Sequence, residues 1–296
     1  MNQQTPDIYE KVTRQIIEAM ERGAGSYRMP WHVTGADCFA PMNAASRRQY
    51  RGVNLLLLWL LAEHHGYTSG EWATYNQWQA LGAQVRKGEK SALVVFWKIS
   101  ERSREGTEEQ EEPACNRSIL ARGYHVFNSA QVDGYSPKPA PVLPEGERIE
   151  SSERFFAQLG FTVEHGGNRA CYSPQEDVIH MPPFSCFRDA SSYYSVFGHE
   201  AVHATGAEHR LNRDLKPRFA EESYAMEELV AELGAAFLCS ALGLASEPRQ
   251  EHAAYLVSWL KVLKQDKRAI FTAASQAQKA VDWMRLRADE QQTKAA

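Results

Sequence analysis

The sequence predicts an α+β protein, with an N-terminal α/β section followed by a mainly helical section that carries a small sheet. Three observations lead there. Residues 91–99 and 119–127 have the β-branched and aromatic content of a strand pair. Residues 136–144 read Ser-Pro-Lys-Pro-Ala-Pro-Val-Leu-Pro, a proline-rich break with polyproline II character. Beyond that break, apolar residues recur at helical spacing in one stretch after another. The implied organisation is a first domain over 1–135, a linker over 136–147, a second domain over 148–288 and a polar, frayed tail over 289–296.

In chain order, residues 8–22 have helical periodicity and stop at Gly23. Residues 54–64 form a very apolar second helix, and 74–82 a short third one ending at Gly82. The strand over 91–99 pairs with 119–127 across a charged loop, 100–118, that lacks core residues and is expected to be exposed and mobile. After the linker, helices are expected near 151–158, 189–205, 221–243, 249–264 and 266–286. Residues 170–183 read as two short strands around a Ser-Pro-Gln-Glu turn, suited to hold an extended peptide by main-chain hydrogen bonds or to be an ordinary hairpin.

Composition excludes several classes. The longest apolar stretch, Leu55 to Ala62, is too short to span a bilayer, and the polar N-terminus lacks a signal-peptide core. The five cysteines are odd in number, scattered and without a C-x-x-C pair, which fits reduced thiols in a cytoplasmic protein and argues against a cysteine zinc site. Net charge is −4. Residues 1–100, however, carry 11 Lys/Arg against 8 Asp/Glu, a local balance of +3, and local field decides what a surface attracts.

His199-Glu200-Ala201-Val202-His203 fits H-E-x-x-H, the signature of a zinc metallopeptidase helix. The spacing puts His199 and His203 one turn apart on one helix face, where both imidazoles can reach a single Zn²⁺ (another divalent ion such as Mn²⁺ fits too). Glu200 lies about 100° round, toward the same cleft, placed as a general base rather than a ligand. Asp189 or Ser191 can cap the helix, and Gly206 can end it.

A catalytic site of this kind needs a third ligand. Glu228 and Glu232 are one turn apart beside the apolar Leu229, Val230, Leu233 and Ala236, and carboxylates there are costly unless paired or metal-bound. One can hold the metal while the other supports a ligating histidine. Glu221, Glu222 and Glu227 read as a solvated acidic face. Gly206-Ala207-Glu208-His209 matches the letters of an extended motif, so His209 is the rival third ligand.

The first hundred residues contain Trp31, Trp59, Trp72, Trp78 and Trp97, of which Trp59 and Trp97 read as core. Among them are the cations Arg47, Arg48, Arg51, Arg86, Lys87, Lys90 and Lys98 and the ring of Tyr50. Cations that follow phosphates and rings that stack on bases are what single-stranded nucleic acid needs. The candidate DNA-binding residues are Arg47, Arg48, Tyr50, Arg51, Trp78, Arg86, Lys87 and Lys90.

Two resemblances sharpen these readings. HEAVH followed by Glu228-Leu229-Val230-Ala231-Glu232 resembles the zincin arrangement, which implies Glu228 as the metal ligand and Glu232 as the outer support of a histidine. Many zincins have Asp at the second position, so the two roles can be exchanged. Arg48-Gln49-Tyr50-Arg51-Gly52-Val53-Asn54, Trp78 to Glu89, and Val126-Phe127-Asn128 with Gln131 resemble the N-terminal domain of ArdC-type antirestriction proteins, a plasmid-encoded family also similar to a segment of conjugative primases. That likeness implies single-stranded DNA as partner and a zincin-like second domain. It implies a protein that shields incoming plasmid DNA from host restriction endonucleases. The alternative is a metallopeptidase that cleaves a host protein and uses the first domain as recruiter.

Overall fold

The computed structural model describes residues 7–23, 41–101, 117–137, 145–213, 221–244 and 252–295. The N-terminal section runs α1 (Ile8–Gly23), β1 (Met42–Asn43), α2 (Val53–His65), β2 (Glu71–Ala73), α3 (Tyr75–Ala80), β3 (Gln84–Val85), β4 (Ala92–Glu101), β5 (Arg117–Asn128) and β6 (Val132–Asp133). The C-terminal section adds α4 (Glu145–Gln158), β7 (Thr162–His165), β8 (Cys171–Ser173), β9 (Val178–Met181), α5 (Ala190–Thr205), α6 (Glu221–Leu242), α7 (His252–Gln265) and α8 (Ala269–Ala295). The α+β expectation therefore holds. Trp31, the interior of the 100–118 loop and the proline-rich residues 138–144 lie outside the described residues.

The first sheet has strand order β1-β2-β5-β4, with β4 and β5 a long antiparallel hairpin in which Phe96 faces Arg122 and Val94 faces Tyr124. Side chains alternate across a strand, so Val94, Phe96, Arg122 and Tyr124 share one face. Strand β4 lies at the sheet edge, where its main-chain groups would be left open. Asn54, buried at the start of α2, closes part of that edge: its amide donates to Val95 O at 2.8 Å and accepts Val95 N–H at 2.7 Å. The short strands β1, β2, β3, β6 and β7 carry too few residues for a period to be read from sequence.

Helix α2 is apolar all round, and the fold uses every face. Leu56, Leu57, Leu58 and Trp59 are all buried, and the Trp59 ring lies 5.9 Å from Phe237 of α6. Helix α8 presents Ala273, Ala277, Ala280, Met284 and Ala288 as a buried small-residue stripe, which lets it pack closely against its neighbours. The consequence is one apolar core running from α1 and α2 through α6 to α8, across the two sections that the proline-rich break separates in sequence. Each fully buried Leu or Val contributes about 1.5–3 kcal/mol. Polar ties follow the same seam: Thr13 Oγ1 donates to Lys267 O at 2.7 Å, and Gly52 N–H to Gln278 Oε1 at 3.1 Å.

Two boundaries differ from the sequence expectation. Helix α4 starts at Glu145, inside the stretch read as linker, and α8 continues to Ala295, through the stretch read as frayed. The last turns of α8 keep a helical pattern, with Ala288 buried and Thr293 Oγ1 donating to Asp289 O at 2.9 Å. Among the described residues, no helix is long and apolar enough to cross a membrane.

Candidate functional site

Helix α5 begins at Asp189, whose carboxylate accepts the Ser192 N–H at 2.7 Å, and stops at Gly206. That cap fixes the phase of the helix, so His199 and His203 both face α6 with their rings 4.7 Å apart. Their Nε2 atoms lie 3.0 Å from each other. Glu228 comes from α6 with Oε2 3.5 Å from Nε2 of His199 and Oε1 3.5 Å from Nε2 of His203. One donor atom from each of the three residues falls within 4.8 Å of the others. Glu232, one turn on, has an oxygen 3.6 Å from Nδ1 of His199, on the far side of that ring. His209 is 62% exposed, 3.4 Å from Asp177, and outside this group.

Glu227 is a correction to the sequence reading, which placed it on a solvated acidic face. It is largely buried, its Oε1 is 3.2 Å from Nδ1 of His203, and Arg213 clamps both its oxygens at 2.9 and 3.2 Å. Each histidine therefore has a carboxylate behind its δ nitrogen, which turns the ε nitrogen toward Glu228. The signal available in sequence was only adjacency: Glu227 and Glu228 point in directions about 100° apart on a helix, so two neighbouring acids can serve two different imidazoles.

The electrostatics favour a cation. Burial works against charge on His203, but hydrogen bonds to Glu227 and Glu228 and the charges of Glu200 and Glu228 outweigh it and raise its pKa to about 10. Burial likewise opposes ionisation of Glu228, and its contacts with His199 and His203 overcome this and hold its carboxyl below the usual range. Four carboxylates thus surround two imidazoles. Glu200 is 5% exposed, and its Oε2 accepts the main-chain N–H of Tyr172 in β8 at 3.0 Å. The hairpin expected over 170–183 is present as β8 and β9, and β8 is the outer strand of the sheet β7-β9-β8, directly beside Glu200.

The distance between α5 and α6 is set by Gly234. A Cβ there would stand 2.7 Å from Cγ2 and 3.0 Å from Cγ1 of Val202, a branched side chain with little rotamer freedom. Gly234→Ala gains about 1 kcal/mol in helix propensity, yet overpacking of a dense core costs about 1–3 kcal/mol. The expected net result is a lower melting temperature together with weaker metal binding, because the shift moves Glu228 away from both histidines. A melting temperature equal to or above that of the parent would show that the crossing tolerates a methyl group.

The predicted DNA-binding residues separate into groups. Trp78 is a correction: it is 0% exposed, its indole N–H donates to Phe127 O at 3.0 Å, and its ring packs on Tyr135 at 4.9 Å. It belongs to a small core and has no free ring face for a base. Arg47 pairs with Glu71, and Arg51 with Asp282 of α8. Arg86 pairs with Glu89 at 2.9 Å and Asp133 at 3.5 Å. Lys87 and Lys90 are exposed on the turn after β3.

Arg48 and Arg51 line an open concavity of about 1210 Å³ against the β4–β5 hairpin, and Tyr50, at its edge, is a correction: it is 6% exposed and belongs to the core. Phe96 and Tyr124 rise from its floor, 48% and 38% exposed, with their rings edge to face at 5.6 Å. The Arg122 guanidinium lies over the Tyr124 ring at 5.3 Å. Tyr75 adds another exposed ring, and among the described residues no Asp or Glu lines the concavity. Sequence reasoning missed Phe96, Arg122 and Tyr124. The run Leu93 to Trp97 is apolar throughout, so its alternation is silent until the hairpin register sets Phe96 opposite Arg122.

Comparison with known proteins gives matches in both sections. A family model for a zincin-like metallopeptidase matches residues 150–276, and one for the N-terminal domain of anti-restriction factor ArdC matches residues 6–127. The chain is 55% identical over 294 residues to the y4eC protein of Sinorhizobium fredii (strain NBRC 101917 / NGR234), covering 98% of this chain and 95% of that protein. It is 35% identical over 297 residues to the DNA primase TraC of Escherichia coli, spanning 94% of this chain and 27% of the primase. Crystal structures of the antirestriction ArdC protein from plasmid R388, metal-free and Mn(II)-bound, align with TM-scores of 0.78 and 0.75 at 39% identity. They cover 96% of this chain and 99% and 98% of those chains.

Proposed function

The chain belongs to the family of ArdC-type antirestriction proteins, and on that premise we propose that it binds single-stranded DNA and protects incoming plasmid DNA from host restriction endonucleases during conjugation, in the recipient cytoplasm. The observation that carries the DNA reading is the lining of the β4–β5 concavity. In a chain of net charge −4, it gathers Arg48 and Arg122 around exposed rings, and no carboxylate among the described residues lines it. Guanidinium groups meet phosphates and rings stack on bases of any sequence, at about 1–3 kcal/mol per base.

The zincin-like section supplies a divalent-cation site. Its donor set of two imidazoles and one carboxylate suits Zn²⁺ and also accepts Mn²⁺, the ion held in the R388 structure. His199, His203 and Glu228 would hold the ion, with Glu232 and Glu227 orienting the histidines. When bound, the ion supplies Lewis-acid chemistry. Glu200 would act as general base, its buried carboxylate held by the Tyr172 N–H.

A second reading, peptidase action on a host protein, draws support from one observation: the edge strand β8 beside Glu200, where an extended peptide could pair. The test uses the full chain, since its two sections share a core. Wild type and Glu200→Gln are compared for oligonucleotide binding and for protection of plasmid DNA from a restriction enzyme in recipient cells. Both proteins are expected to bind and to protect. Protection lost with binding intact would carry the peptidase reading, and a wild type that neither binds nor protects would reject the proposed function.

A further inference from the structure

Beside the sheet concavity lies a second one, of about 470 Å³, between the segment 47–51 and the C-terminal section. Its far wall is built by Phe237, Ser240 and Ala241 of α6 and by Gln278 and Arg285 of α8. The two concavities share Arg48, Gln49, Tyr50 and Arg51, so a chain leaving the aromatic floor passes that segment and meets α8. We propose that the nucleic-acid groove extends onto the zincin-like section, with Arg285 of α8 as a phosphate contact opposite Arg48. This deepens the single-stranded-DNA reading and rests on it.

Charge argues for a polyanion as occupant. Among the described residues, no Asp or Glu lines the second concavity, as none lines the first. Of its arginines, Arg47 and Arg51 are tied to Glu71 and Asp282, which leaves those two charges engaged in holding the fold. Arg48 and Arg285 are exposed and pair with no carboxylate among the described residues. The Asp282 carboxylate beside the groove is taken up by Arg51 and Gln278, so a phosphate backbone would supply the counter-charge that Arg48 and Arg285 lack.

The segment is also held in place before any ligand arrives. The Asn43 side chain accepts the N–H groups of Ala45 and Ser46 at 3.1 and 2.9 Å, and Arg47 takes a left-handed φ of 58°. Gln278 of α8 receives the Gly52 N–H at 3.1 Å. The backbone that carries Arg48 is thereby tied across the seam to α8, so what remains to be ordered on binding is the two arginine side chains.

The experiment titrates fluorescein-labelled oligo-dT into the full-length protein over a range of NaCl, reading anisotropy, for wild type, Arg285→Ala, Arg285→Lys, Arg48→Ala and Phe96→Ala/Tyr124→Ala. Arg285→Ala is expected to weaken binding about threefold to tenfold at low salt and to reduce the slope of log affinity against log salt by about 0.7, the value for one lost phosphate contact on a single strand. Arg285→Lys should recover most of that slope. If Arg285→Ala keeps wild-type affinity and slope while Arg48→Ala loses both and the aromatic pair loses affinity, the groove ends at the 47–51 segment and the extension is wrong. If wild type does not bind the oligonucleotide, the DNA reading and the extension fall together.

Discussion

Glu228→Ala is expected to take bound divalent metal from about one ion per chain to less than about a tenth. Loss of an outer-shell partner costs about 10–100-fold in metal affinity, and that is the effect expected for Glu232→Ala and Glu227→Ala. Glu228 stands nearer the centre than either, with an oxygen 3.5 Å from each ε nitrogen, so its removal should cost more than the upper end of that range. The measurement is elemental analysis after dialysis against Zn²⁺ or Mn²⁺. A thermal readout accompanies it: a ligand at a hundred times its Kd stabilises a fold by about 2.7 kcal/mol, so chelation should lower the wild-type melting temperature by several degrees and leave Glu228→Ala unchanged. Stoichiometric metal in the variant would mean that another group, with Glu232 first in line, completes the site.

The metal centre was legible in sequence because its geometry is local. His199 and His203 share a turn, Glu228 and Glu232 share another, and a helix turns such spacings into faces without knowledge of the fold. What the spacing could not say is which acid meets which nitrogen. That depends on the approach of α6 to α5, which Gly234 and Val202 set by contact. The long helices were readable because each repeats its period several times, and the β4–β5 hairpin because its strands are rich in β-branched and aromatic residues.

The proposed nucleic-acid face was read less well, for a physical reason. Composition put aromatic and basic residues in the first hundred positions but could not tell buried rings from exposed ones. Trp78 went to a core and Arg86 to an ion pair, whereas Phe96, Arg122 and Tyr124 were brought to one face by the register of the β4–β5 hairpin, which the apolar run Leu93 to Trp97 leaves open. The same long-range dependence hid the common core, because nothing in a proline-rich break forbids the sections on either side from packing together.

Replacing Phe96 and Tyr124 together by Ala should therefore affect DNA binding more than any single cation replacement. At about 1–3 kcal/mol per stacked base, losing two platforms costs about 2–6 kcal/mol, which is at least roughly a thirtyfold rise in Kd for an oligonucleotide. The salt slope should barely change, since no phosphate contact is removed directly. Both rings are well exposed, so the folding penalty should be small and the melting temperature close to that of wild type. Lys87→Ala and Lys90→Ala provide the contrast: these residues line neither concavity, and their loss should change affinity by less than a factor of about three. A double aromatic variant that binds oligo-dT as tightly as wild type, with lysine variants that do not, would move the interface to the turn after β3 and leave the exposed rings of the hairpin without a part in binding.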